Sequence, residues 1–179
     1  TVVLGLNCNH ADSSACIIKD GKLIFAIEEE RINRIKHWAG LPIQSIEECL
    51  KQSNVDCSEI TDIALNTNPL SNIKEKTFFF IKNYLVGSKK KEIANRIRKK
   101  ITLKKDINNL LSPKKLSKNV KIHYIDHHIC HIASAFYASN FGKAIGLSID
   151  GFGDFCSLSI SKCQNEKIEV IEKVFFPDS

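Results

Sequence analysis

The sequence has no run of about 18 consecutive apolar residues, so no segment of it is predicted to span a membrane. It shows no basic stretch leading into an apolar segment with a cleavage site, and we expect no secretory signal in it. Seven cysteines occur without a Cys-x-x-Cys pair, which argues against a disulfide framework and a cysteine zinc site. The glycine (8) and proline (4) contents exclude collagen-like and disordered classes, so we expect a globular protein. The cysteine pattern makes the reducing cytoplasm its expected location.

Methionine is also absent, and the last residues, 175–179, do not resemble the end of a domain. We therefore expect the chain to be part of a longer protein.

Acidic residues are scarce in one region: residues 73–121 carry 16 Lys and Arg against three acids. Such a segment is typical either of a solvated helical face or of a surface that binds RNA or another anionic partner, and the sequence alone leaves both open.

The order of apolar runs and helical patterns predicts an α/β fold. Three short apolar runs open the chain, and Asp20-Gly21 between the second and third is typical of a two-residue hairpin turn. Apolar residues from Pro42 to Leu50 recur at helical spacing. The remaining pattern predicts strands near residues 63–65, 120–125, 144–149, 156–160 and 168–175, with helices over 73–111, broken near Gly87-Ser88, and from Asp126 to Ser139.

Three of the six histidines fall within residues 127–131, just before a predicted strand. His127 and His131 stand four residues apart on a predicted helix, so both rings lie on one face, while His128 points to another. Asp150 follows at the end of the next strand, where open α/β sheets place ligand-binding groups. Two imidazoles and a carboxylate suit Fe(II), Mn or Zn. The alternative is a structural helix that Asp126 caps and whose histidines pack in the core.

Two polar segments add candidate binding residues. Asp150-Gly151-Phe152-Gly153-Asp154 is predicted to be a tight loop after a strand, whose glycines would let backbone N–H groups approach a phosphate. The polar residues 7–14 are predicted to form a loop between two strands, and His10 within it is a candidate acid, base or phosphate donor. A polar-filled turn explains either segment equally well. The charged residues 28–31 and 34–37 alone indicate only a solvated stretch.

Taken together, these segments resemble the O-carbamoyltransferase family of nodulation and antibiotic-biosynthesis proteins. The resemblance rests on several short motifs at both ends of the chain. They are Gly5-Leu-Asn-Cys-Asn-His10-Ala-Asp-Ser-Ser-Ala15, Asp20-Gly21, Glu28-Glu-Glu-Arg31 with Lys36-His37 and Pro42, Asp126-His-His-Ile-Cys-His131 with Ala133-Ser-Ala-Phe-Tyr137, Asp150-Gly-Phe-Gly-Asp154, and Phe176-Pro-Asp-Ser179.

The resemblance implies an actin-like, sugar-kinase (ribonuclease H-like) fold and an enzyme that uses ATP and carbamoyl phosphate. In such proteins a separate C-terminal domain makes carbamoyl-adenylate, and the actin-like part transfers the carbamoyl group to a hydroxyl of a small-molecule acceptor. The implied iron ligands are His127, His131 and Asp150, with a further aspartate beyond Ser179. His10 and Lys36 resemble family residues at the carbamoyl or phosphate site.

On this basis we expect residues 1–142 to form the first actin-like lobe, with 73–120 as a basic helical insertion. Residues 143–179 would begin a second lobe, so the fragment alone would lack a complete nucleotide site and would not be a competent enzyme. Asp150, Gly151, Gly153 and Asp154 are the predicted cofactor-binding group. A non-catalytic module that binds RNA or an anionic partner through residues 73–121 is the alternative function.

Overall fold

The computed structural model describes residues 1–9, 11–68, 71–84, 103, 105–111, 116–117 and 119–175. These residues form two compact units. The first comprises Thr1–Asn66 with the described residues between 92 and 124, and the second comprises the described residues of 67–91 together with 125–175. No helix among the described residues is both long enough and apolar enough to cross a bilayer.

The first unit is built on a mixed sheet of five strands in the order β3-β2-β1-β4-β5. β1, β2 and β3 are antiparallel, whereas β4 and β5 run parallel to β1. The Asp20-Gly21 turn joins β2 and β3 with φ angles of 49° and 79°, the left-handed conformation that such hairpin turns require. The strands are β1 (Val2–Asn7), β2 (Ser14–Lys19), β3 (Lys22–Glu28), β4 (Asp62–Leu65) and β5 (Lys121–Tyr124).

Helices pack on this sheet around an apolar core. In β1 every second residue is buried, as expected for a strand with one face on the core. Leu4, Ile17, Ile46 and Ile63 are fully buried, and each such side chain contributes about 1.5–3 kcal/mol relative to an exposed one. The helical elements of this unit are α1 (Glu29–Asn33), α2 (Ile43–Gln52), a 3₁₀ turn (Cys57–Glu59) and α4 (residues 105–111).

The second unit contains an antiparallel sheet in the order β6-β7-β8, on which a helix packs. Its elements are α3 (Ile73–Tyr84), α5 (His127–Ala138), β6 (Lys143–Gly153), β7 (Cys156–Gln164) and β8 (Lys167–Phe175). α5 packs on β6 and β7 and belongs to the same compact unit as these strands. The expected lobe boundary at 142/143 stays a prediction.

The predicted tight loop at residues 150–154 is wrong. β6 continues through these residues to Gly153, which pairs with Cys156 of β7 after an irregular register beyond Ile149. The chain reverses only at Asp154 and Phe155, whose φ angles of 49° and 73° are both left-handed. Asp150 therefore lies inside a strand, four residues before the first turn residue, Asp154.

Two further expectations concern the cysteines and the basic segment. All seven cysteine thiols are free, as the absence of Cys-x-x-Cys pairs predicts. Of the basic segment 73–121, the structure describes α3, α4 and a few residues near β5. The proposed helix break near Gly87-Ser88 and most of the lysines lie outside the described residues.

Candidate metal centre

The candidate site is built on the first two turns of α5. Asp126 is the N-cap residue, and its carboxylate accepts hydrogen bonds from the backbone N–H groups of His128 and Ile129. This cap satisfies two of the N–H groups that a helix start leaves without partners. His127 and His131 then project from one face, with ring centroids 4.6 Å apart.

Asp150 on β6 completes a triangle of donor atoms with these two histidines. His127 Nε2 lies 2.7 Å from Asp150 Oδ2 and 3.0 Å from His131 Nε2, and His131 Nε2 lies 3.6 Å from Asp150 Oδ2. Ligand bonds of about 2.0–2.2 Å place neighbouring donor atoms of one ion roughly 3.0–3.5 Å apart. The three side chains therefore have the donor types and the spacing of a metal-binding group.

The side chains differ in exposure. His127 is buried, with 8% of its side chain exposed, Asp150 is partly buried at 31%, and His131 is exposed at 54%. The group thus has a fixed inner side and an open outer side, which leaves room for additional ligands.

The electrostatics favour the protonation states that metal ligands need. Burial lowers the pKa of His131, and the neighbouring His127 lowers it further against the opposing influence of Asp150. Burial alone would raise the pKa of Asp150, but hydrogen bonds from His127 and from the Gly151 N–H lower it on balance. Near neutral pH, His131 is accordingly neutral and Asp150 ionised, as metal coordination requires.

His128 is not part of this group, as its helical position predicts. Its ring is fully buried on another face of α5, where Nδ1 lies 2.8 Å from Ser148 Oγ and Nε2 lies 3.0 Å from the Cys156 carbonyl. Because the carbonyl can only accept, Nε2 donates to it, and Nδ1 is hydrogen-bonded to the serine hydroxyl. Both ring nitrogens are used, so His128 has a structural role.

The other predicted site residues lie in different surroundings. His10 lies outside the described residues. Lys36 is an exposed residue of the first unit, after α1. Gly151 is exposed and follows Asp150 directly, whereas Gly153 is buried and lies against the ring of His127.

Asp154 is buried and accepts hydrogen bonds from Thr67 and from the backbone N–H groups of Asn68 and His127. Its carboxylate is therefore engaged with protein donors. The assignment of residues 150–154 to a cofactor stays a prediction.

A second group of potential ligands lies in the first unit. The carboxylates of Asp12 and Glu30 and the ring of His37 come within 4.8 Å of one another. His37 Nδ1 is 2.9 Å from Asp12 Oδ1, and the His37 N–H donates to Glu30 Oε2 over 3.2 Å. The side chains of His37 and Asp12 are 76% and 50% exposed.

Sequence reasoning missed Glu29, which the structure buries almost completely. Its carboxylate accepts hydrogen bonds from the N–H groups of Gln44 (3.2 Å) and Ser45 (2.7 Å), in the first turn of α2. Pro42, the N-cap residue of α2, has no capping side chain. A proline at the predicted helix start was the sequence signal for this contact, because a helix start without a capping side chain needs hydrogen-bond acceptors from another segment.

The sheet order and the helix on the second sheet define the class of the protein, an actin-like α/β fold. YeaZ from Pseudomonas aeruginosa is similar in structure, with a TM-score of 0.52 at 13% sequence identity, covering 99% of this chain and 68% of that one. A likeness at this identity concerns the fold alone, and it agrees with the fold expected from the sequence.

The family follows from the sequence comparisons. A family model described as carbamoyltransferase N-terminus matches residues 2–179, and the chain belongs to this family. The nodulation protein NolNO of Sinorhizobium fredii is 34% identical over 149 residues, 82% of this chain and 20% of that protein. Protein sll1178 of Synechocystis is 30% identical over 186 residues, 100% of this chain and 30% of that protein. The chain thus spans less than a third of the length of these relatives, and the resemblance to carbamoyltransferases is confirmed.

Proposed function

We propose that the chain is the N-terminal part of an enzyme that transfers a carbamoyl group from carbamoyl phosphate, by way of carbamoyl-adenylate made with ATP, to a hydroxyl of a small-molecule acceptor. The observation that carries the proposal is the family match over residues 2–179. The similarity to NolNO supports it. The adenylate-forming step is assigned to a C-terminal domain of the full-length protein.

Within this function, His127, His131 and Asp150 would hold a divalent metal ion. The chemistry of the donor set supports this assignment, because two imidazoles with one carboxylate are typical of Fe(II) sites that keep open positions. When bound, the ion would act as a Lewis acid toward a carbamoyl carbonyl or phosphate oxygen. The open side of the group, at the exposed His131, is where such an oxygen would approach.

The transfer is an acyl transfer without a change of oxidation state. The acceptor hydroxyl oxygen bonds to the carbamoyl carbon while the bond from that carbon to the adenylate oxygen breaks. AMP leaves with the electron pair, and the hydroxyl proton passes to a base. We assign His10 and Lys36 to this carbamoyl and phosphate chemistry. His10 would accept the proton or donate a hydrogen bond to the phosphate, and Lys36 would supply a positive charge beside the phosphate.

The experiment incubates the full-length protein with ATP and ¹⁴C-labelled carbamoyl phosphate, using glycerol at high concentration as the acceptor. Pyrophosphate release reports adenylate formation, and labelled glycerol carbamate reports transfer. We expect His127→Ala and His131→Ala to retain pyrophosphate release and to lose at least about 100-fold in transfer. A wild-type protein that releases no pyrophosphate in response to carbamoyl phosphate would contradict the proposal.

The alternative module that binds RNA through residues 73–121 depends mainly on lysines outside the described residues. No observation on the described part of that segment favours it over the transferase.

A further inference from the structure

The position of the His127 ring depends on two residues that follow Asp150 on the same strand and turn. We propose that Gly153 and Asp154 are positioning residues for His127: Gly153 leaves the space that the imidazole occupies, and Asp154 holds the backbone from which it projects. This inference rests on the proposed metal function, but it concerns the geometry of the protein without the ion.

Gly153 lies directly against the imidazole ring of His127. A Cβ atom added to Gly153 would stand 2.0 Å from His127 Cδ2, 2.6 Å from Cγ and 2.8 Å from Nε2, far inside van der Waals contact. The glycine is not needed for its backbone conformation, because Gly21 is the only glycine of the described residues with a left-handed φ. Any larger residue at 153 would therefore have to displace the imidazole.

The displacement would act directly on the donor atom. The ring edge that faces Gly153 includes Nε2, which is the atom 2.7 Å from Asp150 and 3.0 Å from His131. With only 8% of its side chain exposed, His127 has little free space into which the ring could swing. A residue at 153 that pushes the ring away would break the triangle of donor atoms.

Asp154 fixes the other end of the same residue. Its Oδ2 accepts a hydrogen bond from the His127 N–H over 3.2 Å and another from the Asn68 N–H over 2.9 Å. Its Oδ1 accepts from Thr67 Oγ1 over 3.0 Å, and its carbonyl accepts from the Asn72 amide over 2.9 Å. Asp154 thereby ties the start of α5 to residues 67–72.

Asp126 and Asp154 share the first N–H groups of α5. Asp154 accepts from the first residue, His127, while Asp126 accepts from His128 and Ile129. A carboxylate at a helix start is also favoured by the helix dipole. Asp126 thus caps the helix, and Asp154 locates the specific residue that carries the first metal donor.

The test compares two glycine variants that crowd the same helix. Gly153→Ala places a methyl group against His127, whereas Gly146→Ala, on the same strand, places one 2.5 Å from Ile132 Cγ2 of α5. In the full-length protein we expect Gly153→Ala to weaken Co(II) affinity about 10- to 100-fold, the range found for residues that orient metal ligands. Gly146→Ala should lower thermal stability and leave the Co(II) affinity of the folded protein within about twofold of wild type.

A second pair of variants tests Asp154. Both glycine and asparagine tolerate the left-handed backbone at this position, so Asp154→Gly removes the carboxylate and Asp154→Asn keeps one acceptor oxygen. We expect Co(II) affinity to fall in the order wild type, Asp154→Asn, Asp154→Gly. Exchange of the His127 amide hydrogen, measured without metal, should accelerate most in Asp154→Gly.

The imidazole ¹⁵N NMR signals of the metal-free protein separate this inference from the proposed function. If wild type binds no Co(II) but Gly153→Ala shifts the His127 signals and Gly146→Ala does not, the metal site fails and the positioning stands. If wild type binds Co(II) and the Gly153→Ala and Gly146→Ala proteins match it in affinity and in His127 signals, the positioning is overturned and the metal site stands.

Discussion

Among the described residues, two groups of potential metal ligands combine histidine and carboxylate donors, two histidines with one carboxylate in one group and one histidine with two carboxylates in the other, and their surroundings differ. His127, His131 and Asp150 in the second unit, like Asp12, Glu30 and His37 in the first, bring their donor atoms within 4.8 Å. The side chain of His127 is 8% exposed, whereas that of His37 is 76% exposed.

The two groups differ in the support of their side chains as well as in their donor sets. His127 is held by a capped helix start, a buried carboxylate and a glycine that leaves space for its ring. The side chains of His37 and Asp12 are exposed to solvent, so binding an ion there would first require ordering them. We therefore assign the metal to the first group only.

The largest expected effect comes from removing the support beneath α5. Asp126 is buried, caps the helix and pairs with Lys173 at 2.8 Å, so Asp126→Ala leaves a largely buried lysine without its carboxylate partner. We expect it to lower the free energy of unfolding by about 3 kcal/mol, measured by urea denaturation. Asp12→Asn removes the charge of the exposed pair with His37 and tolerates the left-handed backbone at this position (φ 61°), so it should cost less than about 1 kcal/mol. Equal losses in the two variants would remove the distinction between the groups.

A smaller effect is expected from the buried carboxylate that sequence reasoning missed. Glu29→Gln replaces one of two oxygens that accept from the start of α2 with an amide donor. Hydrogen bonds to charged groups contribute about 1.5–3 kcal/mol, so we expect a loss of about 2 kcal/mol in the free energy of unfolding. Glu28→Gln is the control, because among the described residues the Glu28 side chain is recorded in one exposed ion pair, with Arg31, and its loss should cost less than about 1 kcal/mol. A Glu29→Gln protein as stable as Glu28→Gln would contradict the capping role.

The smallest effect concerns a histidine–aspartate pair with the same 2.7 Å distance as His127 and Asp150. The hydrogen bond from His123, together with one from Thr61, lowers the pKa of Asp62. A lowered folded-state pKa stabilises the protein above the unfolded value, near pH 4, and this stabilisation disappears as the pH falls through the folded-state pKa.

Asp62→Asn should therefore make the free energy of unfolding less sensitive to acid between pH 5 and pH 2, by a small amount. His123→Gln should reduce the same acid sensitivity, because it removes the main cause of the shift. An unchanged acid profile in both variants would show that this exposed pair contributes nothing.

The parts of the fold that local sequence predicts are those set by short-range geometry. The Asp20-Gly21 turn follows from the backbone freedom of these residues, and it joins β2 and β3 as expected. The pairing of His127 with His131 follows from helical spacing, and the approach of Asp150 follows from its place at the end of a strand-like apolar run. The cap formed by Asp126 was also predictable, because an aspartate directly before a helical pattern is a preferred N-cap residue.

The parts that sequence reasoning missed depend on contacts between distant segments. Residues 150–154 contain two glycines and two aspartates, which favour a turn, yet pairing of Gly153 with Cys156 extends β6 through most of them. The role of Glu29 depends on helix residues 15 and 16 positions later, and that of Asp154 on residues 67 and 68. The residue pattern around Glu29 or Asp154 does not indicate which distant residues donate hydrogen bonds to them.

The most direct test of the account is the metal content of the full-length protein, purified without chelator and measured by mass spectrometry. We predict a divalent ion bound in wild type and in His37→Ala, and loss of that ion in His127→Ala and in His131→Ala, with all four proteins folded by circular dichroism. If His127→Ala and His131→Ala retain the wild-type metal content, or if only His37→Ala loses it, the metal centre is not the group on α5 and β6.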